Sequence, residues 1–468
     1  MSEIHSSTSR RRFLKGAGMA GLATTLLPGQ SVAAQGQKAV GGKAKNLIFL
    51  VVDGMCNGTL GLAHHWNLRN RGELLNWMQL YNRPGLSRCF QDTASNSSPV
   101  TDSAAASAWG SGQRVDNGAI NVAPGGKALE PLFARAIRAG KKTGLVSTCR
   151  VSHATPAGFA ASVRHRGQEH AIISQYLEHG IDVILGGGAD KFRQSKRDGS
   201  KLDYFRKFEA AGYQIARDAG QLKHLPAKGE PLLGIFSDSH IPYAIDRKND
   251  RSLKSVPGLR DMFRSGLKHL AGSEEGFLLQ VEAGRVDHAG HANDPGAILH
   301  EQLEFDACIP VALEFIEKHP DTMLIVTTDH GTGGCQLDGQ GMRYGDSGPA
   351  LDRMNQFNHS FEWLEDRFRA AGEFRLEPFK LATGITPNEA QRAAIQSAIQ
   401  DSNVSYLSSK IANIFADDLG SISSVGWSSN GHTAENVDLL AFGPGSEQIP
   451  GFIQNNELFG IMTDALKI

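Results

Sequence analysis

The sequence predicts a three-layer α/β/α fold, in which helices cover both faces of a mostly parallel β-sheet. Short apolar runs recur along the chain and alternate with segments of helical periodicity, the pattern of repeated strand–helix units. The runs are continuous rather than alternating, which is typical of strands that are buried on both faces. The 468 residues, 40% of them hydrophobic and 21% charged, suffice for one large domain of this class or for two to three smaller ones.

The first apolar run, Asn46–Val52, ends at Asp53 and predicts a buried parallel strand. Helical patterns follow at residues 130–139 and 295–317, the second with Asp294 as a candidate N-cap. Because strands and helices alternate, we expect a sheet with helices on both faces. The further predicted strands are residues 142–148, 181–185, 276–281, 323–328 and 437–442.

The first 34 residues are predicted to be a twin-arginine export signal and not part of the fold. Residues 9–15 carry the arginine pattern, residues 16–27 are mildly apolar, and small residues at 31–34 form a candidate cleavage site. Neither this stretch nor any later one is long and apolar enough for a membrane-spanning helix. We expect a linker at residues 35–45 and a mature domain at residues 46–468 that is periplasmic or secreted.

Charge and cysteine content exclude some functions. A formal net charge of −1 argues against nucleic-acid binding, so any affinity for anions has to be local. The five cysteines have no Cys-x-x-Cys spacing, which argues against a thiolate zinc site. Their odd number leaves at least one unpaired, and the pairing of the others stays open.

Polar side chains follow four of the predicted strands. In open α/β sheets, functional sites form at the carboxyl ends of the strands, so these residues should converge although they are distant in sequence. One such acid is usually a cap or turn residue, but four strand ends with acids or histidines favour a site. The residues are Asp53, His153 with Thr155, Glu282, and Asp329 with His330.

A serine, Ser103, precedes a run of small helix-forming residues. Residues 101–103 can cap a helix through 104–106, which would place the Ser103 hydroxyl where free N–H groups and the helix dipole favour an anion. Taken alone, the stretch fits an ordinary capping serine and a nucleophile beside a phosphate equally well.

Further candidate metal ligands cluster at residues 282–291 and in the loop at 430–433. Asp287 and His291 are four residues apart and could grip one ion from a single helical face, and His432 adds a third ligand. A mixed Asp/His set without cysteine suits a catalytic zinc, whereas carboxylates with a hydroxyl suit magnesium.

The order and spacing of these motifs resemble the alkaline phosphatase family, from residue 46 to about residue 445. The resemblance implies hydrolysis of phosphomonoesters through a phosphoserine, broad specificity, an alkaline optimum and a homodimer. The matching stretches are residues 52–54, 101–104, 153–158 with Arg166, 186–188, 282–291, 328–334 and 431–433.

Carried over position by position, the resemblance implies a role for each candidate residue. Ser103 is the implied nucleophile, and Arg166 the implied clamp on two phosphate oxygens, a bidentate task that suits arginine. Two zinc ions and one magnesium ion are the implied cofactors. Their implied ligands are Asp287, His291 and His432 for the first zinc; Asp53, Asp329 and His330 for the second; and Asp53, Thr155 and Glu282 for magnesium.

The chain differs from many bacterial members at two positions. They have Asp where it has His153 and Lys where it has His288, whereas vertebrate-type enzymes have His at both. We expect these histidines and Asp102 to support the site without binding the metal directly, which leaves the identity of the third ion open. Residues 336–425 are interpreted as an insertion of the kind that covers the site or makes dimer contacts in this family.

Two other functions stay open. A phosphodiesterase, phosphonate hydrolase or sulfatase of the same superfamily would keep the fold and the metals, although Ser103 with Arg166 favours monoesters. An exported protein that binds metal or phosphate without catalysis would need the ligands but not the nucleophile.

Overall fold

Alternate residues of the strand Asn46–Val52 belong to two separate hydrophobic clusters, one on each face of the central sheet. Ile48 and Leu50 pack in one cluster, and Phe49 and Val51 in the other. All seven residues are buried, which explains the continuous apolar sequence of this strand. Helices cover both clusters, so the predicted three-layer α/β/α fold is confirmed.

The computed structural model describes residues 43–195, 201–227, 229–338 and 344–468, which belong to one compact unit. The predicted export signal at residues 1–34 and most of the predicted linker lie outside the described residues. The strands are β1 (Asn46–Val52), β2 (Ser87–Gln91), β3 (Lys142–Arg150), β4 (Val183–Gly187), β5 (Arg193–Ser195), β6 (Lys201–Asp203), β7 (Gln214–Ala216), β8 (Leu232–Ile235), β9 (Phe277–Ala283), β10 (Thr322–Thr328), β11 (Gly331–Thr332), β12 (Gln336–Leu337), β13 (Val425–Gly426), β14 (His432–Thr433), β15 (Val437–Phe442) and β16 (Phe452–Ile453).

Ten of these strands form the central sheet, in the order β16–β2–β15–β10–β1–β9–β3–β4–β8–β7. Among them β15 runs antiparallel to both of its neighbours, and the other nine share one direction. The sheet is therefore mostly parallel, as predicted, although the apolar run of β15 gave no sign of its reversed direction.

All six predicted strands are present, with ends shifted by at most two residues. The largest shift is in β4, and β9 extends beyond residue 281 to include Glu282. The prediction missed β2, β7, β8 and β16 because they are short or, as in β2, alternate between buried and exposed residues.

Helices occupy most of the remaining described chain. They are α1 (Asn57–Arg71), α2 (Asn76–Leu80), α3 (Ala104–Ser111), α4 (Leu132–Arg138), α5 (Ala154–Ala160), α6 (Glu169–His179), α7 (Tyr204–Ala210), α8 (Ala219–His224), α9 (Ala244–Asn249), α10 (Leu259–Leu270), α11 (Arg285–Ala292), α12 (Pro295–Asp306), α13 (Ile309–Lys318), α14 (Ser347–Arg353), α15 (Phe361–Ala371), α16 (Leu376–Thr383), α17 (Glu389–Gln400), α18 (Leu407–Ile414), α19 (Ala416–Ser423) and α20 (Glu457–Leu466).

The helix predicted at residues 295–317 is two helices, α12 and α13. Asp294 caps α12 as expected, accepting hydrogen bonds from the backbone N–H groups of Gly296 and Ala297. The break follows from Pro310 in the first turn of α13, because its ring cannot continue a helix from Asp306. The apolar period continues through the break, so periodicity alone did not reveal it.

Residues 344–424, here called the helical segment, contain α14 to α19. The chain enters through β12 and leaves through β13, and the pairing of these two strands brings the ends of the segment together. Side chains of the segment, such as Leu351 and Phe361, pack into the same hydrophobic cluster as Ile48 and Leu50. The segment thus packs against one face of the sheet domain.

No helix in the described part of the chain combines the length and the apolar character that crossing a membrane requires.

Candidate active site

Four adjacent strands at the centre of the sheet, β10, β1, β9 and β3, bring the predicted strand-end residues together. Asp53 follows β1, and Asp329 follows β10. Glu282 is the penultimate residue of β9 and pairs in register with Val51 and Ser147 on either side. Because parallel strands end at one edge of a sheet, residues that are far apart in sequence converge there.

The first cluster of ligand atoms consists of Asp53, Asp329 and His330, all of them buried. His330 Nε2 lies 3.1 Å from Asp329 Oδ2 and 3.8 Å from Asp53 Oδ1. One ligand atom from each residue lies within 4.8 Å of the others, close enough to bind one metal ion.

The second cluster consists of Asp287, His291 and His432, again within 4.8 Å of one another. Asp287 and His291 share one face of α11, with His291 Nε2 3.5 Å from Asp287 Oδ2. His432 is brought in by the pairing of β14 with β11, and its Nε2 lies 3.4 Å from Asp287 Oδ1. The rings of His330 and His432 stack at 3.8 Å, so the two clusters are neighbours.

The two histidines of the second cluster point lone pairs at each other. His291 Nδ1 donates to the Asn430 carbonyl and His432 Nδ1 to the Thr101 carbonyl, each over 2.6 Å. Since each Nδ1 carries its proton, each Nε2 of the neutral rings is an acceptor, and these two atoms are only 3.0 Å apart. Two facing acceptors need a positive charge between them, and histidine ligands commonly bind metals in this arrangement.

The pKa values of the buried carboxyl groups also indicate that this site binds a cation. Burial raises the pKa of Asp329 and of Glu282 to about 7. Burial, followed by the charge of Asp329, raises the pKa of Asp53 well above its usual range. Burial opposes a charge on His432, but the hydrogen bond and the charge of Asp287 outweigh it and raise its pKa to about 9, so a proton on His432 Nε2 supplies the positive charge between the two rings when no metal ion is bound. Buried acids so close together ionise readily only beside a compensating cation.

Ser103 lies at the N-terminal end of α3 but does not cap it. Its hydroxyl makes no hydrogen bond to the helix, contrary to the capping interpretation. Instead its Oγ accepts a 2.8 Å hydrogen bond from the backbone N–H of Gly118, and the side chain is buried. The Ser103 hydroxyl is therefore not occupied in capping α3, the structural role that the sequence had left open for it.

A close approach of α3 and α5 places Ser103 beside Thr155. A Cβ added to Gly110 would lie 1.8 Å from the carbonyl oxygen of Gly158, so only glycine permits this contact. Thr155, in the first turn of α5, donates from Oγ1 to Asp53 Oδ2 over 3.3 Å. Glu282 Oε1, which is buried, has no hydrogen-bond partner in the described structure. These oxygen atoms belong to the three residues that the sequence analysis expected to bind magnesium.

Arg166 is fixed beside Ser103 through Gly118. The Arg166 backbone N–H donates to the Gly118 carbonyl over 2.7 Å, while Gly118 N–H donates to Ser103. The guanidinium pairs with Asp102, and its Nη2 donates to His153 Nε2 over 2.7 Å. Asp102 and His153 therefore position Arg166, as residues outside the proposed metal ligands.

His288, His153 and a histidine that the sequence analysis missed, His240, form a cluster beside Glu282. The ring centroids of His240 and His288 are 4.4 Å apart, and His153 is 5.6 Å from each. Buried Cys149 lies within 4.8 Å of His153 and Glu282, also without an assigned role in the sequence analysis. His240 follows β8, so the strand-end rule would have found it had this short strand been predicted.

A cavity of about 250 Å³ joins the two clusters, Ser103 and Arg166. Its rim includes a second missed residue, Tyr406, from the helical segment. The described residues that line it are Asp53, Asp102, Ser103, His153, Ala154, Thr155, Arg166, Asp287, His288, His291, Asp329, His330, Tyr406 and His432. All but two of these, Ala154 and Tyr406, are residues that the sequence analysis predicted.

Known proteins match this chain over most of its length. Residues 44–468 match the family model for alkaline phosphatase. Alkaline phosphatase 4 of Bacillus subtilis is 30% identical over 449 residues, which are 94% of this chain and 92% of that protein. The alkaline phosphatase of Schizosaccharomyces pombe is 32% identical over 92% of this chain and 83% of that protein.

The fold has a similar solved counterpart. The crystal structure of Thermus thermophilus alkaline phosphatase superposes with a TM-score of 0.82 at 33% identity, covering 95% of this chain and 96% of that one. The family match, the identities and the shared fold agree with the architecture described above. This chain therefore belongs to the alkaline phosphatase family and is a phosphatase.

Proposed function

We propose that this chain hydrolyses phosphomonoesters in two steps through a phosphoserine at Ser103. The observation that carries the proposal is the placement of the Ser103 hydroxyl, which lies in one cavity with Arg166 and two adjacent Asp/His clusters. A nucleophile, an anion-binding guanidinium and paired cation sites are the parts that phosphoryl transfer requires.

Three ions fit the donor atoms. The facing Nε2 atoms of His291 and His432, with Asp287, suit the first zinc, and the buried Asp53, Asp329 and His330 suit the second. Magnesium would be held by the oxygens of Asp53, Thr155 and Glu282. When bound, the ions supply positive charge that lowers the pKa of the attacking hydroxyl and stabilises the leaving oxygen.

Ser103 Oγ attacks phosphorus in the first step, forming an Oγ–phosphorus bond as the bond between phosphorus and the leaving oxygen breaks. The proton that Ser103 loses ends on the released alcohol. The Gly118 N–H, 2.8 Å from Oγ, stabilises negative charge on this oxygen, and the N-terminal end of α3 adds a favourable field. In the second step a water molecule attacks phosphorus on the opposite side, releasing inorganic phosphate and restoring the serine.

Arg166 binds the phosphate oxygens that do not react. Its side chain is 26% exposed and lines the cavity, so substrate can reach it. The pairing with Asp102 orients the planar group so that two N–H donors face the phosphate. The three non-bridging oxygens of a monoester share two negative charges, whereas those of a diester or a sulfate ester share one, so the guanidinium favours the monoester over the substrates of the superfamily alternatives.

Trapping of the intermediate tests the proposal. Protein loaded with zinc and magnesium should release alcohol from an aryl phosphate, and acid quenching should leave one phosphate on Ser103, detectable by peptide mass spectrometry. Ser103→Ala should form no phosphoenzyme and lose roughly a thousandfold or more in turnover. Ser111→Ala, on the same helix, is the matched control because its hydroxyl donates to the Ser107 carbonyl and does not line the cavity.

A substrate panel separates the alternatives. An aryl phosphate should turn over faster than a bis-aryl phosphate and an aryl sulfate. Faster turnover of the diester or the sulfate would assign the site to the corresponding superfamily activity. Phosphate binding without any turnover would favour the non-catalytic alternative.

Export and assembly complete the proposal. The arginine pattern at residues 9–15 supports twin-arginine export and a periplasmic or secreted location. The resemblance to the family supports a homodimer, with residues 336–425 as an insertion near the site. Fractionation of expressing cells and light scattering of the purified protein test these two points.

A further inference from the structure

We propose that Tyr406 is a specificity-determining residue that stacks against a planar leaving group, so that aryl and nucleoside monophosphates are preferred over phosphates of small alcohols. This inference rests on the proposed function, because it assigns the leaving group of that same reaction. It adds a substrate class to a site whose other described groups recognise only the phosphate.

The Tyr406 ring provides the largest apolar surface among the described residues that line the cavity. Apart from histidines, it is the one aromatic residue among the described residues that line the cavity, and its neighbours there are almost all charged or polar. Its side chain is 76% exposed, although burying an aromatic ring is strongly favourable. An exposed ring at the rim of a polar cavity offers a ligand a face on which to stack.

The backbone around Tyr406 is held from both sides by one helix. Arg369 donates to the Val404 carbonyl over 2.7 Å, and Glu365 accepts from the Ser408 N–H over 2.9 Å. Both belong to α15, where they form an ion pair of 2.8 Å. The loop is thus fixed two residues before and two residues after Tyr406, so that little conformational entropy is lost when a ligand stacks on the ring.

The same loop is connected to the end of the cavity where the alcohol would leave. Ser409, in the first turn of α18, accepts a 3.2 Å hydrogen bond from the Asn430 side chain, and the Asn430 carbonyl accepts from His291. His291 belongs to the cluster proposed to bind the first zinc, the ion that would supply positive charge to the leaving oxygen. Tyr406 therefore lies where the organic part of the substrate emerges.

Comparison of two exposed tyrosines tests the inference. Wild-type protein, Tyr406→Ala, Tyr406→Phe and Tyr344→Ala are assayed for kcat/KM with an aryl phosphate, a nucleoside 5′-monophosphate and glycerol phosphate. Tyr344 is the matched control, since it lies in the helical segment, is 74% exposed and does not line the cavity.

We expect Tyr406→Ala to lower kcat/KM for the two planar substrates by roughly fivefold to tenfold through KM, with glycerol phosphate unchanged. Tyr406→Phe and Tyr344→Ala should keep the wild-type preference. A free nucleoside should inhibit the wild-type protein more strongly than Tyr406→Ala.

Three results would overturn the inference: equal losses for all three substrates in Tyr406→Ala, no loss for any of them, or an equal loss of preference in Tyr344→Ala. Failure of the proposed function looks different, because then wild-type protein hydrolyses none of the three esters. In that case the inference falls with it.

Discussion

Two regions of the molecule contribute to the cavity but differ sharply in exposure. One is the strand-end cluster of Asp53, Glu282, Asp329 and His330, of which all but Glu282 line the cavity, and the other is the helical segment of residues 344–424. Each of the four cluster residues is at most 4% exposed. The helical segment contributes Tyr406, which is 76% exposed. The cluster is built on central strands, and Tyr406 on a loop held by hydrogen bonds.

This difference in exposure fits two different functions, stabilisation of the transition state and recognition of the organic part of the substrate. Groups that stabilise charge in a transition state must be held in place and shielded from water, which burial on strands provides. A surface that selects the organic part of a substrate has to stay accessible. We infer that the strand ends determine the reaction and that the helical segment adjusts which alcohol is released.

One ion pair connects the two regions. Arg285, at the start of α11 beside the second cluster, is buried and donates to Glu362 of α15 over 2.6 Å. Its guanidinium also lies 3.8 Å from the centre of the Tyr243 ring.

After Ser103→Ala, the largest effect on turnover is expected from Arg166→Ala. Loss of the guanidinium removes two donors to phosphate, so kcat/KM for an aryl phosphate should fall roughly a hundredfold. Arg164→Ala, two residues away and exposed, should keep wild-type kinetics. Equal kinetics in wild-type protein and Arg166→Ala would show that Arg166 has no role in the reaction. This result would also contradict the proposed separation of functions between the two regions.

The next effect concerns the pH dependence of stability without metal. Asp329 and Glu282 have a pKa of about 7 in the fold, above the value of about 4 in an unfolded chain. The folded state therefore holds protons that the unfolded state has released, and stability should fall as pH rises from about 4 to about 7.

Thermal unfolding, monitored by circular dichroism, tests the predicted fall of stability with rising pH. With a chelator present, the midpoint should drop between pH 5 and pH 7.5, and addition of zinc and magnesium should reduce the drop. Asp329→Asn should reduce it, because one of the two groups no longer ionises. A chelated protein that is equally stable at both pH values would contradict the charge argument for metal binding.

The smallest effect is expected from Glu362→Gln. The change leaves the buried Arg285 without its anionic partner, but Glu362 is 46% exposed, so solvent screens much of the loss. We expect the free energy of unfolding to fall by about 1 to 2 kcal/mol. Urea denaturation measures it, with Glu373→Gln, in an exposed pair with Arg375, as a control that should change little.

The same variant tests the separation of the two regions. If the helical segment adjusts only the leaving group, Glu362→Gln should hydrolyse glycerol phosphate at the wild-type rate. A loss of this activity as large as that of Arg166→Ala would show that the segment also holds the reacting groups in place.

Local sequence patterns predicted the centre of the molecule well. Short, mostly apolar runs identified β1, β3, β9 and β10, because strands that are buried on both faces are rich in apolar residues. Because sites form at the carboxyl ends of parallel strands, the positions of Asp53, Glu282 and Asp329 at strand ends predicted that they lie close together.

Tertiary structure alone decided features that depend on partners distant in the chain. The direction of β15 depends on its neighbours β10 and β2, and the Gly118 N–H bond to Ser103 depends on a loop that returns fifteen residues later. His240 follows a strand too short to be predicted, and Tyr406 reaches the cavity only because α15 and Asn430 hold its loop there. A sequence pattern reports how one segment is buried, whereas the contacts between segments follow from packing the whole chain.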